Sequence, residues 1–259
     1  MLSYQHGYHA GNAADVHKHV LLAAALDYLG RKDKPFTYLE THAGRGLYDL
    51  SDAAARKTGE ASQGVERLLA RFPATHPWRR IVEAERAATG PTAYPGSPRI
   101  AARLARPGDR LHLAELHPRE HDALVAAMAD RPGVSIHRRD GLEMAKALTP
   151  PDPRRGLMLI DPSWEVRADY QHLAKLLPVI HGKWNVGVLM LWYPILADGR
   201  HRPMVDALRG ALPDALIHEV AFPPARDGHG MRGSGMVVVN PPWGLDAEIP
   251  HLDAAFGRD

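Results

Sequence analysis

The chain has 259 residues, 45% of them hydrophobic and 24% charged, enough apolar material for one large domain or one domain carrying an insertion. It has no cysteine, which excludes disulfides, thiolate metal sites, iron–sulfur clusters, a catalytic thiol and any base methylation that runs through a cysteine nucleophile. The formal net charge of +2, a pI near 8.9 and arginine doublets at Arg79-Arg80, Arg138-Arg139 and Arg154-Arg155 permit a nucleic-acid partner; solvated surface arginines account for any one doublet equally well.

No apolar run is long enough to span a membrane, and the polar, histidine-rich start MLSYQHGYHAGN lacks the pattern of a signal peptide, so the expectation is a cytoplasmic protein. Tyr4, His6, Tyr8 and His9 put too many rings in the first residues for a disordered tail and predict an ordered arm. Asn12 is a good cap for a helix over Ala13 to Leu29. Val16, Val20, Ala23 and Ala24 form one apolar face of it, and Leu22, Leu26 and Leu29 extend another, which predicts a well-buried helix. Lys18 and His19 are its polar exceptions. They are either surface residues or part of an arm and helix, residues 1–20, that covers a ligand site.

Phe36, Tyr38 and Leu39 predict the first strand, followed by the small-residue loop Glu40 to Gly46. A G-x-G loop after a strand lets the backbone approach a ligand. The third glycine of a dinucleotide fingerprint is missing, since Asp49 stands three residues past Gly46, and no acid lies at the end of a second strand about 20 residues on. A nicotinamide cofactor is thus disfavoured and S-adenosylmethionine suits the loop better. Residues 51–93 read as a helical insertion, with helical spacing over Gln63 to Phe72 and Trp78 to Ala88 and prolines between. Residues 1–50 and 94–259 make up the main domain. Ser97 is a candidate cap for a helix over Arg99 to Ala105, with Pro98 at its first position.

Strands then arrive with acids at their carboxyl ends. Counting the first, the set is Glu40, Glu115 after Arg110–Leu116, Asp140 after Val134–His137, and Asp161 after Leu157–Ile160. In an open α/β sheet ligands sit at those ends. Four acids so placed suit S-adenosylmethionine, with its ribose diol at the second strand, its adenine amine at the third, and its sulfonium between the first and fourth. Helices follow at Arg119–Ala129, Asp169–Ile180 and Arg202–Leu212. Strands five to seven are expected at Val186–Trp192, Leu216–Phe222 and Met236–Val239, with a loop over Pro223–Gly235. The pattern predicts an α/β fold with a seven-stranded, mostly parallel sheet.

The stretch LMLIDPSW, Leu157 to Trp164, carries the chemistry. An apolar run closed by a proline reads as a buried strand ending at a turn. Asp161 and the Pro162 carbonyl can accept the two hydrogens of an exocyclic amine while Trp164 stacks on the ring that bears it. The competing reading is a strand-ending turn with a core tryptophan. NPPW at 240–243 is a closer match to the amine-methylation pattern, but it follows a seventh strand at the distal edge, which favours Asp161 over Asn240.

With MLSYxHxxHAGNxADVxKH at 1–19, YLxTHAGxGxYxL at 38–50, YPGSP at 94–98, ELHP at 115–118, RRGLxLIDPxxE at 154–165, LWYP at 191–194 and GMxVxNPPW at 235–243, the chain resembles the bacterial 23S ribosomal RNA adenine-N6 methyltransferase family of the RlmJ type over nearly its whole length. The resemblance implies a Rossmann-like class I S-adenosylmethionine-dependent methyltransferase fold with a small helical insertion and 23S ribosomal RNA as partner; no metal is expected, since no acid or cysteine completes a metal set with the arm's histidines, and a monomer is expected. The resemblance also implies that His19, His42, Ser97, Glu115, Asp140, Gly141 and Asp161 contact the methyl donor or its neighbourhood and that Tyr4, His6 and Lys18 belong to the arm that closes over substrate; the residues themselves add Gly44 to the donor loop, make Asp161, Pro162 and Trp164 the catalytic turn, and have Trp164 stack on the base and Lys18 hold phosphate. Family members commonly read DPPY where this chain has DPSW, so Ser163 stands at a proline position. The same amine chemistry serves a DNA adenine or a protein glutamine, and a catalytically inactive RNA-binding protein is the alternative outside methyl transfer.

Overall fold

The computed structural model describes residues 6–224 and 230–257. Seven strands, β1 (Thr37–Glu40), β2 (Arg110–Ala114), β3 (Val134–His137), β4 (Gly156–Ile160), β5 (Val188–Leu196), β6 (Leu216–Ala221) and β7 (Met231–Val239), form one sheet in the order β3-β2-β1-β4-β5-β7-β6. Neighbours from β3 to β5 pair in parallel, while β7 runs antiparallel to both β5 and β6. The strand order reverses between β1 and β4, which opens a crevice at their carboxyl ends.

The sequence of β4 shows why it is central. Every residue of GLMLI is buried, and the side chains alternate between two cores. Leu157 and Leu159 join a cluster with Tyr38, Leu111 and the helix α1 (Ala13–Gly30). Met158 and Ile160 face the other side, against Leu173 and Leu177 of another helix. Further helices pack on the sheet: α2 (Ser97–Leu104), α3 (Pro118–Met128), α4 (Gly141–Leu148), α5 (Ala168–Lys183), α6 (Arg202–Ala211) and α7 (Glu248–Phe256). Asn12 caps α1 as expected, its side chain accepting from Asp15 N at 2.9 Å. The helix is buried on nearly every side because the sheet covers one flank and the insertion the other. No helix among the described residues is long and apolar enough to cross a membrane.

The structure differs from the expected elements in several places. The single helix expected over Gln63 to Phe72 is broken into Glu60–Gln63, Val65–Leu68 and a 3-10 turn at Leu69–Arg71. A Cβ on Gly64 would lie 2.0 Å from Gly11 O, and Val65 N donates to that oxygen at 2.8 Å, so the arm's backbone crosses there and interrupts the helix. The insertion also holds Ala53–Thr58 and Pro77–Thr89, and a ribbon of Leu47–Asp49 with Ala93–Pro95 frames it. Its Val65, Leu68 and Trp78 share the cluster of α1.

Strand β5 does not stop at Trp192 but runs through Tyr193-Pro194 to Leu196. β4 covers it only as far as Leu191; beyond that β7 is its sole partner, and a one-sided strand tolerates proline. Strand β7 begins at Met231, inside the expected loop. Gly233 and Gly235 are strand residues where neighbours approach closely: a Cβ on Gly235 would meet the Tyr193 ring at 2.1 Å. Helices α4 and α7 occupy stretches for which the sequence pattern predicts no element.

Candidate active site

The carboxyl ends of β1 to β4, roofed by α1 and the arm, enclose a cavity of about 530 Å³. Its lining brings together His6, Lys18, His19, His42, Gly44, Ser97, Glu115, Asp140, Gly141, Asp161, Pro162 and Trp164, residues spread over most of the chain. Tyr4, the remaining residue assigned from sequence, lies outside the described residues.

One side of the cavity is built from backbone and carboxylates. Gly44 has φ +60°, and a Cβ there would stand 2.6 Å from the Tyr48 hydroxyl, so glycine is required twice over. Gly44 N donates to Glu115 Oε2 at 2.8 Å and His117 N donates to Oε1 at 2.7 Å, which fixes the plane of that carboxylate at the cavity wall. Burial raises the Glu115 pKa against these two bonds. Asp140 caps α4 by accepting from Glu143 N at 2.8 Å. A Cβ on the next residue, Gly141, would fall 1.7 Å from Thr41 O, so only glycine lets the α4 N-terminus lie against the turn after β1. His42 lines the same wall, and burial lowers its pKa. Among the described residues, the buried His117 Nδ1 and Trp164 Nε1 lack a hydrogen-bond partner, and both residues line the cavity.

Two assignments are corrected at β1. Glu40, counted among the acids that face a ligand, is fully buried and turned inward. Tyr38 Oη donates to its Oε2 at 2.8 Å and Ser97 Oγ donates to its Oε1. Burial pushes its pKa up to about 8 against those bonds and the pull of Lys18. Ser97 is therefore not the cap, since Gly96 takes that position of α2; its hydroxyl hydrogen goes to Glu40, while the residue still lines the cavity.

The other side holds a buried charge network. Lys18 is 4% exposed, with Nζ 2.5 Å from Asp161 Oδ2 and 3.1 Å from Asp15 Oδ1. Burial opposes its charge, but the two carboxylates outweigh that and hold its pKa above the usual lysine range. This corrects the phosphate role: the ammonium is consumed inside the protein. Asp15 also accepts from His6 Nε2 and from Gly11 N, each at 2.9 Å. Burial works against its ionisation, yet His6 and Lys18 keep its pKa well below the ordinary carboxylate value. His19 is driven the other way, to about 3, mainly by burial, and its Nδ1 pairs with the Tyr94 hydroxyl at 2.8 Å. It is a neutral hydrogen-bonding group.

Trp164 combines both readings of the turn. Asp161 faces the cavity, whereas Trp164, with φ +58°, is 5% exposed and packs its ring 4.4 Å from that of Tyr170 in the second core. It is not an open stacking platform. The aromatic group that sequence reasoning missed is Trp192 on β5. It lines the cavity, its ring lies 5.7 Å from Lys18 Nζ, and its Nε1 donates to Ser234 Oγ at 2.8 Å. The motif LWYP and the expected strand end at Trp192 are the available signals; the expected site takes its strand residues from the ends of the first four strands alone.

The second amine-type motif is on the far side of the sheet. Val239 pairs with Leu189 at the start of β5, so Asn240 emerges at the edge opposite Asp161. Asn240 Nδ2 donates to Asn185 O at 2.9 Å and Gly187 O at 2.8 Å with φ +52°, which is a turn-pinning role. Trp243 is 82% exposed there. Asp161 lines the cavity and Asn240 does not.

A family model described as "Ribosomal RNA large subunit methyltransferase D, RlmJ" matches residues 33–255. The chain is 38% identical over 256 residues to Ribosomal RNA large subunit methyltransferase J of Escherichia coli, covering 97% of this chain and 91% of that protein. It is 37% identical to the protein of the same name from Haemophilus influenzae, over 97% of this chain and 92% of the relative. The crystal structure of protein LPL1258 from Legionella pneumophila superposes with a TM-score of 0.85 at 32% identity, covering 96% of this chain and 95% of that one.

Proposed function

The chain belongs to the RlmJ family of ribosomal RNA large subunit methyltransferases, and from that premise we propose that it methylates the N6 amine of one adenine in 23S ribosomal RNA, using S-adenosylmethionine, in the cytoplasm. The observation that carries this reading is the position of Asp161, ionically held by Lys18 at the end of β4, in one cavity with Glu115, Asp140 and Gly141.

The residues present fit the methyl donor. Glu115 offers a carboxylate whose plane is fixed by two backbone N–H groups, suited to a ribose diol, and the unpartnered His117 Nδ1 lies in the same wall. Asp140 and the Gly141 turn stand where an adenine edge needs an acceptor and close backbone contact. When bound, S-adenosylmethionine supplies an electrophilic methyl group.

The chain's own task is to prepare a poor nucleophile. The lone pair of an adenine amine is delocalised into the ring. Asp161 and the Pro162 carbonyl accept its two hydrogens and favour a pyramidal nitrogen, and the negative charge on Asp161 stabilises the positive charge that grows on that nitrogen. Lys18 sets the orientation of Asp161 through Oδ2 and leaves Oδ1 for the amine. The target base must leave its stack, at a cost of a few kcal/mol. Trp192 supplies an aromatic wall for it, and His6, anchored on Asp15, ties the arm over the opening.

The test is radiolabelled methyl transfer to unmodified, protein-free large-subunit ribosomal RNA with nucleoside analysis. N6-methyladenosine at a single site is the expected product. A different methylated nucleoside, or no transfer despite donor binding, contradicts the proposal.

A further inference from the structure

A groove of about 550 Å³ adjoins the catalytic cavity, and Asn12 and Met231 line both. One wall is the insertion, presenting Ser62, Gln63 and Arg67; the other is the corner after β6, presenting Phe222 and Pro223. We propose that this groove binds the nucleotide next to the methylated adenine, its base against Phe222 and Met231 and its phosphate against Arg67. The inference rests on the RNA methylation reading above.

Three observations support it. The first is continuity. The groove shares Asn12 and Met231 with the cavity that holds Asp161, so an RNA strand leaving that cavity past the arm enters it directly. The second is the chemistry of the walls, one apolar and partly aromatic, the other carrying amide, hydroxyl and guanidinium groups. A nucleobase with a π face, a polar edge and an attached phosphate needs that pairing. The third is charge. Arg67 is exposed and makes no hydrogen bond or ion pair among the described residues. The acid beside it, Glu60, is already engaged by His9 Nδ1 at 2.9 Å and Asn12 Nδ2 at 3.0 Å. Arg56 and Lys57 sit one short helix away, with Lys57 Nζ 6.0 Å from the Tyr8 ring.

The groove is also rigidly tied to the site. Val65 N donates to Gly11 O at 2.8 Å, and Thr58 Oγ1 donates to Tyr8 O, so the insertion wall is stitched to the arm that leads into α1. A contact made in the groove therefore fixes the register of the RNA relative to Asp161.

The experiment compares wild type, Arg67→Ala/Gln63→Ala and Phe222→Ala on unmodified, protein-free large-subunit ribosomal RNA. Both substituted residues of the double variant are exposed, so folding is not at stake, and S-adenosylmethionine binding serves as the check on all three proteins. The expected result is an RNA KM raised about five- to tenfold with kcat within about twofold, and for the double variant a salt dependence of RNA affinity shallower by about 1 in log–log slope. An RNA KM and salt slope unchanged in the double variant, with wild type methylating the RNA, overturn the groove and leave the methylation reading standing. A wild-type enzyme that binds the donor but leaves this RNA unmethylated overturns both.

Discussion

Replacing Lys18 by methionine separates a buried counter-ion from a phosphate contact. The side chain keeps its length and loses its charge. Two carboxylates then face each other's vicinity with less compensation: Asp15, which retains His6 and Gly11 N, and Asp161, which loses the partner at 2.5 Å. Removing one member of a buried ion pair typically costs about 3–5 kcal/mol. Because Asp15 keeps two donors and Asp161 borders the open cavity, the lower end, about 3 kcal/mol at neutral pH, is expected. For a chain of this size that lowers Tm by roughly 6–12 °C. The loss should shrink toward pH 5, because Asp15, no longer held low by Lys18, can then take up a proton more readily than in wild type. A second change, Asp15→Asn, should restore part of the stability, with a coupling of about 1–3 kcal/mol in a double-mutant cycle. Methyl transfer should fall at least about a hundredfold while donor binding persists, since Asp161 loses its orientation. Chemical denaturation at two pH values and single-turnover methylation measure these effects. A Lys18→Met protein as stable as wild type, with full kcat and only a shallower salt dependence for RNA, would refute the counter-ion role and reinstate a phosphate contact.

Other substitutions probe neighbouring parts of the account. Glu40 has a pKa of about 8 in the folded chain against an ordinary value of 4.5, so the native state holds the proton that the unfolded state releases over that interval. Stability contributed by this group is therefore full below pH 4.5 and falls as pH rises to 8; Glu40→Gln should flatten that decline by a few kcal/mol, read from denaturation curves across pH 5–9. Gly141→Ala should cost more than about 3 kcal/mol or prevent folding, because Thr41 O is a backbone atom and cannot move aside; near-wild-type Tm and donor affinity would contradict the close approach. Asn240→Ala should lower stability by about 1–2 kcal/mol through two lost bonds to backbone carbonyls, with kcat per folded enzyme within about twofold; a hundredfold loss would move the chemistry to NPPW.

The fold was legible wherever one strong local signal decided an element. Asn12 before an apolar helix, four apolar residues ahead of Asp161, and acids after successive strands placed α1, β4 and the cavity rim. What escaped was set by contacts distant in sequence. Nothing near Gly64 shows that Gly11 crosses it, and nothing near Gly233 and Gly235 shows that they belong to a strand rather than a loop. Glu40 and Glu115 look alike as acids after strands, yet one turns inward to Tyr38 and Ser97 and the other is pinned at the cavity wall by backbone N–H groups. Lys18 was legible as a polar exception on an apolar helix, but its partners Asp15 and Asp161 appear only once α1 lies across β4. An aromatic residue beside Asp161 was expected to stack on substrate; the left-handed turn sends Trp164 into the core and leaves Trp192 at the cavity.

The most direct test of the central claim is single-turnover transfer of labelled methyl from S-adenosylmethionine to large-subunit ribosomal RNA by wild type and by Asp161→Ala, which removes both the charge and the side-chain acceptor. The account predicts N6-methyladenosine from wild type and a loss of about a hundred- to a thousandfold in the variant, with donor and RNA binding largely retained. Transfer by the variant at a rate within tenfold of wild type would contradict it, because the carboxylate held by Lys18 would then have no part in readying the amine.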